Sequence, residues 1–527
     1  MRIRDAAIWT LFLAVASTAG AAETGKPPEA LGKVTFPSSC NQNVQANLVR
    51  GVALLHSFWF RESEKAFREV LSGDAECAIA GWGIATSLIG NTFATGPNPQ
   101  QAQVAREAIE RARSTQRKNE RERYFIEAIA QYYEQYPSQP HAKRMKSLSD
   151  AFEQVAKKFP EDDEAQIFSA VYLTATQPLT DKSYGAALKA AAILEVQFKR
   201  HPDHPGVAHY LIHSYDFPEV ADKGMNAARR YAEIAPSAPH ALHMPSHIFT
   251  RVGAWKDSAA INGRSAAAAK EQNEPHDRLH AMDYAVYAYL QLGQDDEARR
   301  VLSEAQEIKG FTPTVRAGPY ALAAMPARIA LERAAWDEAA RLEPQESNFA
   351  YAKSSTHYAR AIGAARGGNA GAAQADVAQL AAIVDELKPR DSYWANEVEV
   401  QRLSGAAWIE LAKGNRDAAL GLMRGAADIE DAAEKSSVTP ARMLPARELL
   451  GDMLLAAGKP AEALVEYEKS QLREPNRYRG LLGAGQAAAQ AGNRDKARYY
   501  FAKLVAMAGT GVRGTDLQAV REYLASN

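Results

Sequence analysis

The chain has 527 residues, 46% hydrophobic and 24% charged, with a formal net charge of −1, a pI near 6.9 and a mean hydropathy of −0.36. That length calls for two or more domains or one elongated repeat array. The near-neutral balance, with no strongly basic cluster, gives no reason to expect nucleic acid or an anionic membrane surface as partner.

In chain order, the first feature is a positively charged "MRIR", an apolar "AAIWTLFLAVA" and a small-residue "STAGAAE". This is the pattern of a secretory signal peptide over residues 1–22, cut after Ala21 or Ala22. No later stretch reaches the length of a membrane span, and no cysteine stands at the cleavage site for a lipid anchor. The expectation is an exported protein, periplasmic or secreted. Residues 23–40 form an N-terminal extension. Cys40 and Cys77 are the only cysteines, and in an oxidising compartment an even count favours a disulfide. Such a bond would staple the segment before the first helix onto the second helical pair.

From residue 41 onward the chain reads as helix nearly throughout, rich in Ala and poor in β-branched runs. Gly451, Ala463, Tyr467 and Pro475 occupy positions of a 34-residue unit, and Gly485, Ala497 and Phe501 repeat the first three one unit later. Small residues where two helices cross, with a proline after the second, are the tetratricopeptide pattern. A turn glycine followed five residues later by a small residue recurs at Gly253, Gly293, Gly414, Gly458 and Gly492. The fold class is therefore all-α, a superhelical solenoid of antiparallel helix pairs. Gly, Pro and Thr interrupt the pattern at 91–104, 307–320 and 436–445. Residues 41–310 are expected to be one repeat block and 311–527 a second, with a terminal cap.

The chemistry concentrates in two segments. "HPGVAHYLIHSYD" carries His209 and His213, and "PHALHMPSHIFTRVGAW" carries His240, His243 and His247. Residues four apart share a helix face, and the HxxxH pair recurs after 34 residues. First helices of successive repeats stand side by side on the concave surface, so the two pairs are expected to face each other. The next first helix adds His280, Asp283, Tyr284 and Tyr287. The reading takes His209, His213, His243 and His247 as metal ligands, with His280 and Asp283 as further ligands or supports. Asp216, His240, Tyr284 and Tyr287 would orient or flank them. Imidazole-rich ligation suits zinc, copper, iron or nickel, and spacing does not choose among them. Two other uses compete: a metal-free ligand pocket, and histidines bonded within helix interfaces.

Weaker candidates are His56 and His357, read as core residues, and Arg442 with Arg447. These arginines belong either to a salt-bridge network or to an anion- or peptide-binding end of the groove. No nucleophile motif, phosphate-binding glycine loop or cysteine-based zinc motif is present, and no nucleotide cofactor is expected.

Together with "LLHSFWF", "HAMDYAVYAYLQLG" and "EDAAEKSSVTPARMLPARELLGDMLL", these segments resemble a group of exported bacterial tetratricopeptide-repeat proteins, from Cys40 to the last repeat. The resemblance implies fold and export, not a reaction. In the repeat superfamily at large the concave groove holds peptides or partner proteins, usually without a histidine row. Three functions follow as expectations: an exported histidine-lined metal or ligand site, a metal-free interaction scaffold, and a metal-dependent hydrolase or oxidase.

Overall fold

The computed structural model describes residues 29–94, 96–309, 317–345, 347–509 and 515–526. The signal-peptide segment and the block boundary near residue 310 lie outside the described residues. Among the described residues there is helix and loop but no strand, and no helix is long and apolar enough to cross a membrane.

The helices come as consecutive antiparallel pairs, from Gln45–His56 with Phe60–Gly73 to Tyr478–Gln490 with Arg494–Ala508, followed by a single helix Thr515–Ser526. The turn glycines are what the pairing requires. Gly253, Gly293, Gly414, Gly458 and Gly492 have φ between 69° and 86°, the left-handed region closed to most side chains. The crossing glycines answer a different need. A Cβ on Gly485 would sit 2.3 Å from the Phe501 ring, and one on Gly451 2.7 Å from Tyr467, so each pair closes only over a bare α-carbon.

Two features shape the solenoid around its histidines. At the N-terminus, Ala30 and Ser237 exchange backbone and hydroxyl hydrogen bonds, Lys33 meets Asp203, and Ser39 binds Glu122. The strap so formed crosses several repeats, and the Cys40–Cys77 disulfide pins its end to the start of the helix Ala78–Ile89.

At the other end, the array turns back on itself. Trp255 Nε1 donates to Asn476 O (2.7 Å) and Tyr478 N to Gln291 Oε1 (2.9 Å). Buried Arg477 reaches Tyr287, Glu332 and Glu448. The interrupted stretch 436–445 falls within a loop, 432–445, that packs against the histidine-bearing helices. Glu434 N donates to Leu179 O (2.7 Å), and Arg328 holds the carbonyls of Ala441 and Arg442 and the hydroxyl of Thr439.

Candidate metal centre

Three successive first helices carry the histidines: Pro205–Tyr215, the run Pro239–His243 and Pro245–Arg251, and Pro275–Gln291. Each opens with proline at its first position, where the missing N–H costs nothing and φ is already helical. Pro245 also interrupts the middle helix, because it has no N–H for the carbonyl four residues back. His243 and His247 straddle this break yet remain on one face.

The six histidines sort into two triads. The ligating nitrogens of His209, His213 and His240 lie within 4.8 Å of one another, as do those of His243, His247 and His280. The two HxxxH pairs thus belong to different groups. His240, read from sequence as an orienting residue, stands among the nitrogens of the first triad. It lies three residues before His243, so one helical turn supplies a ring to each triad. The triads adjoin: ring centroids are 6.0 Å apart for His213–His247 and for His240–His243.

Within each HxxxH pair the Nε2 atoms point at each other, 3.2 Å apart for His209–His213 and 3.1 Å for His243–His247. The outer nitrogens are held. His209 Nδ1 donates to the carbonyl of His56 (2.7 Å), His243 Nδ1 to Asn262 Oδ1 (2.7 Å), and His247 Nδ1 to Asp216 Oδ2 (2.9 Å). The Asn262 amide is oriented by its own Nδ2 donating to Ser258 O (2.8 Å), so its oxygen is the acceptor. His243 and His247 therefore both carry their proton on Nδ1 when neutral. Two Nε2 lone pairs then face each other across 3.1 Å with no proton between them.

An imidazolium would resolve that contact, but the surroundings oppose one. Burial holds His243 well below the ordinary histidine range, reinforced by the repulsion that a second protonated ring at His280 or His247 would add. Burial also lowers His247, although Asp216 works against it. The same cause holds His209, His213, His240 and His280 well below that range. His240 Nε2 is buried without a hydrogen-bond partner. The arrangement is a set of neutral imidazoles with lone pairs converging in two places, and these clusters could hold a metal ion. The Nε2 spacing suits two ligands on one tetrahedral ion at bonds of about 2.0–2.1 Å.

Aromatic rings wall the first triad. Phe93 stacks on His213 at 4.0 Å, and Phe58 lies 4.4 Å from His209 and 5.4 Å from His240. Phe58 has φ 54° without being glycine, a strained conformation of the kind that persists where packing imposes it. On the second triad, Tyr284 stands edge-on to His243 at 4.7 Å, and its hydroxyl donates to Ser437 O and Thr439 O. It thereby ties the 432–445 loop over the histidines.

Charged groups complete the surroundings. Asp216 accepts from His247 and from Arg251 Nε (2.7 Å), and Lys435 Nζ lies 3.8 Å away. The neighbouring cations hold Asp216 well below the carboxylate range against the effect of burial. Burial lowers Lys435 to about 8.

Other expected residues lie elsewhere. Asp283 faces Arg328 at 3.5 Å, and burial raises it to about 6. Tyr287 accepts from Arg477. Arg442 is paired with Glu397 and Glu430, and Arg447 with Asp428, Asp431 and Glu466. His357 bonds Asp376. His56 belongs to a third cluster, where Glu164 binds both His56 Nε2 (2.9 Å) and His204 Nε2 (3.0 Å). Sequence reading did not find Asn262, His204 or Glu164. Asn262 and Glu164 had no spacing signal, and His204 stood outside the HxxxH pattern.

No family model matches the chain, and no curated protein matches it. Solved structures align over much of its length. The Cut9–Hcn1 hetero-tetramer of the APC/C shares 11% identity over 92% of this chain and 76% of that one, at a TM-score of 0.35. A tetratricopeptide repeat protein from Parabacteroides merdae shares 14% over 66% and 98%, at 0.27. A human IFIT1 dimer with PPP-AAAA shares 13% over 82% and 91%, at 0.37. These likenesses are too loose to bear on the site, and the repeat fold rests on the helix pairing described above.

Proposed function

We propose that this is an exported transition-metal protein with two adjacent trihistidine centres. One ion is held by His209, His213 and His240, the other by His243, His247 and His280. The observation that carries this reading is the His243–His247 contact: both rings donate from Nδ1, which leaves two Nε2 lone pairs facing each other at 3.1 Å, an arrangement that a cation between them would satisfy. Orientation of ligating imidazoles through the far nitrogen is general in metal sites.

Six imidazoles without a carboxylate in either triad suit zinc, copper, iron or nickel. Three protein donors per ion leave a position for water or substrate, the composition of a reactive site rather than a closed structural one. The reaction class that fits is metal-dependent, hydrolytic or oxidative. Export is supported by the N-terminal sequence pattern and by the disulfide. A scaffold holding a partner peptide along these rows is disfavoured, because the chain's own 432–445 loop packs against the helices that carry them.

Elemental analysis of untagged protein tests the reading. The wild type should carry about two equivalents of a transition metal. His209→Ala/His213→Ala and His243→Ala/His247→Ala should each retain about half of that. A wild type that takes up no metal on reconstitution would remove the reading, leaving the histidines as interface residues.

A further inference from the structure

Lys435 arrives at the histidines on the 432–445 loop, almost 200 residues from His247 in sequence. It is 4% exposed, and its Nζ has no hydrogen-bond partner. Its ion-pair partner, Asp216 Oδ2, is 3.8 Å away and already receives His247 Nδ1. The other Asp216 oxygen is taken by Arg251. Glu434, the next carboxylate along the loop, is engaged by Lys182 and Arg473 and approached by Arg251. An ammonium offers three donors and is strongly hydrated in water. Burying it with none of them used is costly unless something in the site accepts from it.

The structure offers a place for that acceptor. A cavity of about 140 Å³ is lined by Lys435, His213, Asp216, Phe93, Phe217 and Ser436, among others. That is room for several water molecules or one molecule of a few non-hydrogen atoms. The walls differ in character. Phe93 and Phe217 are apolar, Lys435 is a cation, and His213 belongs to the first triad. Ligand sites typically combine apolar walls with a few placed polar groups in this way.

We infer that this cavity binds a small monoanion, of the size and chemistry of a short-chain carboxylate, with an oxygen on Lys435 Nζ and the rest of the molecule between Phe93 and Phe217. The pocket adjoins the proposed metal centre through His213, which places the anion where a ligand or substrate of that centre would sit. It does not require the ion, since its charge partner is the lysine. Asp216, 3.8 Å from the ammonium, lines the same cavity and disfavours a second negative charge on the ligand.

The probe is acetate, titrated by calorimetry into the full-length protein before and after removal of bound metal by chelator. Wild type should bind one acetate saturably in both states. Lys435→Met should weaken binding at least tenfold. Ala175→Leu, which keeps the lysine but narrows the cavity beside it, should weaken binding comparably. Thermal midpoints of both variants, with and without acetate, show whether they fold. Acetate should raise the wild-type midpoint and leave that of Lys435→Met unchanged.

Absence of saturable acetate binding to the wild type would overturn the inference. So would equal affinity in Lys435→Met, or binding that appears only with metal and ignores the lysine. Lysine-dependent binding in a protein that takes up no metal would leave the pocket standing and remove the metal reading alone.

Discussion

Asn262→Leu separates the two triads without touching a proposed ligand. The asparagine is fully buried and accepts from His243 Nδ1 at 2.7 Å. Leucine has a similar volume and no acceptor. An orphaned buried donor costs about 1–3 kcal/mol, and the imidazole can avoid that cost by moving its proton to Nε2. His243 Nε2, 3.1 Å from His247 Nε2, then donates that proton and makes the hydrogen bond that the native tautomer forbids. Both lone pairs are lost to a metal at once. Loss of an outer partner of a ligating histidine lowers metal affinity about 10–100-fold, or roughly 1.4–2.7 kcal/mol. Competition against a chromogenic chelator should resolve one unchanged site and one weakened by that factor. Asn262→Asp, which keeps an oxygen acceptor, should hold both sites near wild type. Equal weakening of both sites in Asn262→Leu, or no weakening, would refute the tautomer argument.

Three further outcomes follow from the same geometry. All six histidines are held below their ordinary range by burial, whereas the unfolded chain protonates them near pH 6.5. Stability of the metal-free protein should therefore be complete above about pH 6.5 and fall as pH drops, by up to about 1.4 kcal/mol per pH unit for each histidine. Thermal midpoints from pH 8 to 5 should decline steeply, and less steeply in His243→Gln/His247→Gln; a flat wild-type profile would contradict the assignment. Cys40→Ser/Cys77→Ser opens a loop of 37 residues and should lose about 3–4 kcal/mol, read as a lower midpoint with the N-terminal strap cleaved first in limited proteolysis. Arg328→Met releases the carbonyls of Ala441 and Arg442, so the 432–445 loop should become protease-sensitive and metal should transfer to chelator faster than from wild type.

How much of this was legible beforehand differs from element to element. The repeat fold was, because each signal answers a local steric demand. Gly253 and its counterparts must reach positive φ, and Gly485 must let Phe501 close. Both demands leave a fixed residue type at a fixed interval. The HxxxH rows were visible for the same reason, one helix face repeated at one repeat length.

The grouping of the histidines into triads was not. Pro245 breaks the middle helix and a 3-10 turn at Ala221–Gly224 intervenes before it, so a ring's partner depends on bends that spacing does not encode. His240 joining His209 rather than His243 is the clearest case. The Lys435 contact with Asp216 lies further out of reach. It exists because the array turns back through Arg477 and the loop carbonyls that Arg328 holds, contacts between residues more than a hundred positions apart. Asn262 was hidden differently: a lone asparagine inside a helix gives no pattern until its oxygen is seen against His243.

The most direct test of the central claim is an anomalous-difference map from crystals of protein loaded with the metal it retains on purification. Two separate peaks are expected, one among the Nε2 atoms of His209 and His213 with His240, the other among those of His243 and His247 with His280, each about 2.0–2.1 Å from its ligating nitrogens. A single peak shared between the HxxxH pairs would contradict the division into two centres. Strong data with no peak at either triad would contradict the metal site itself.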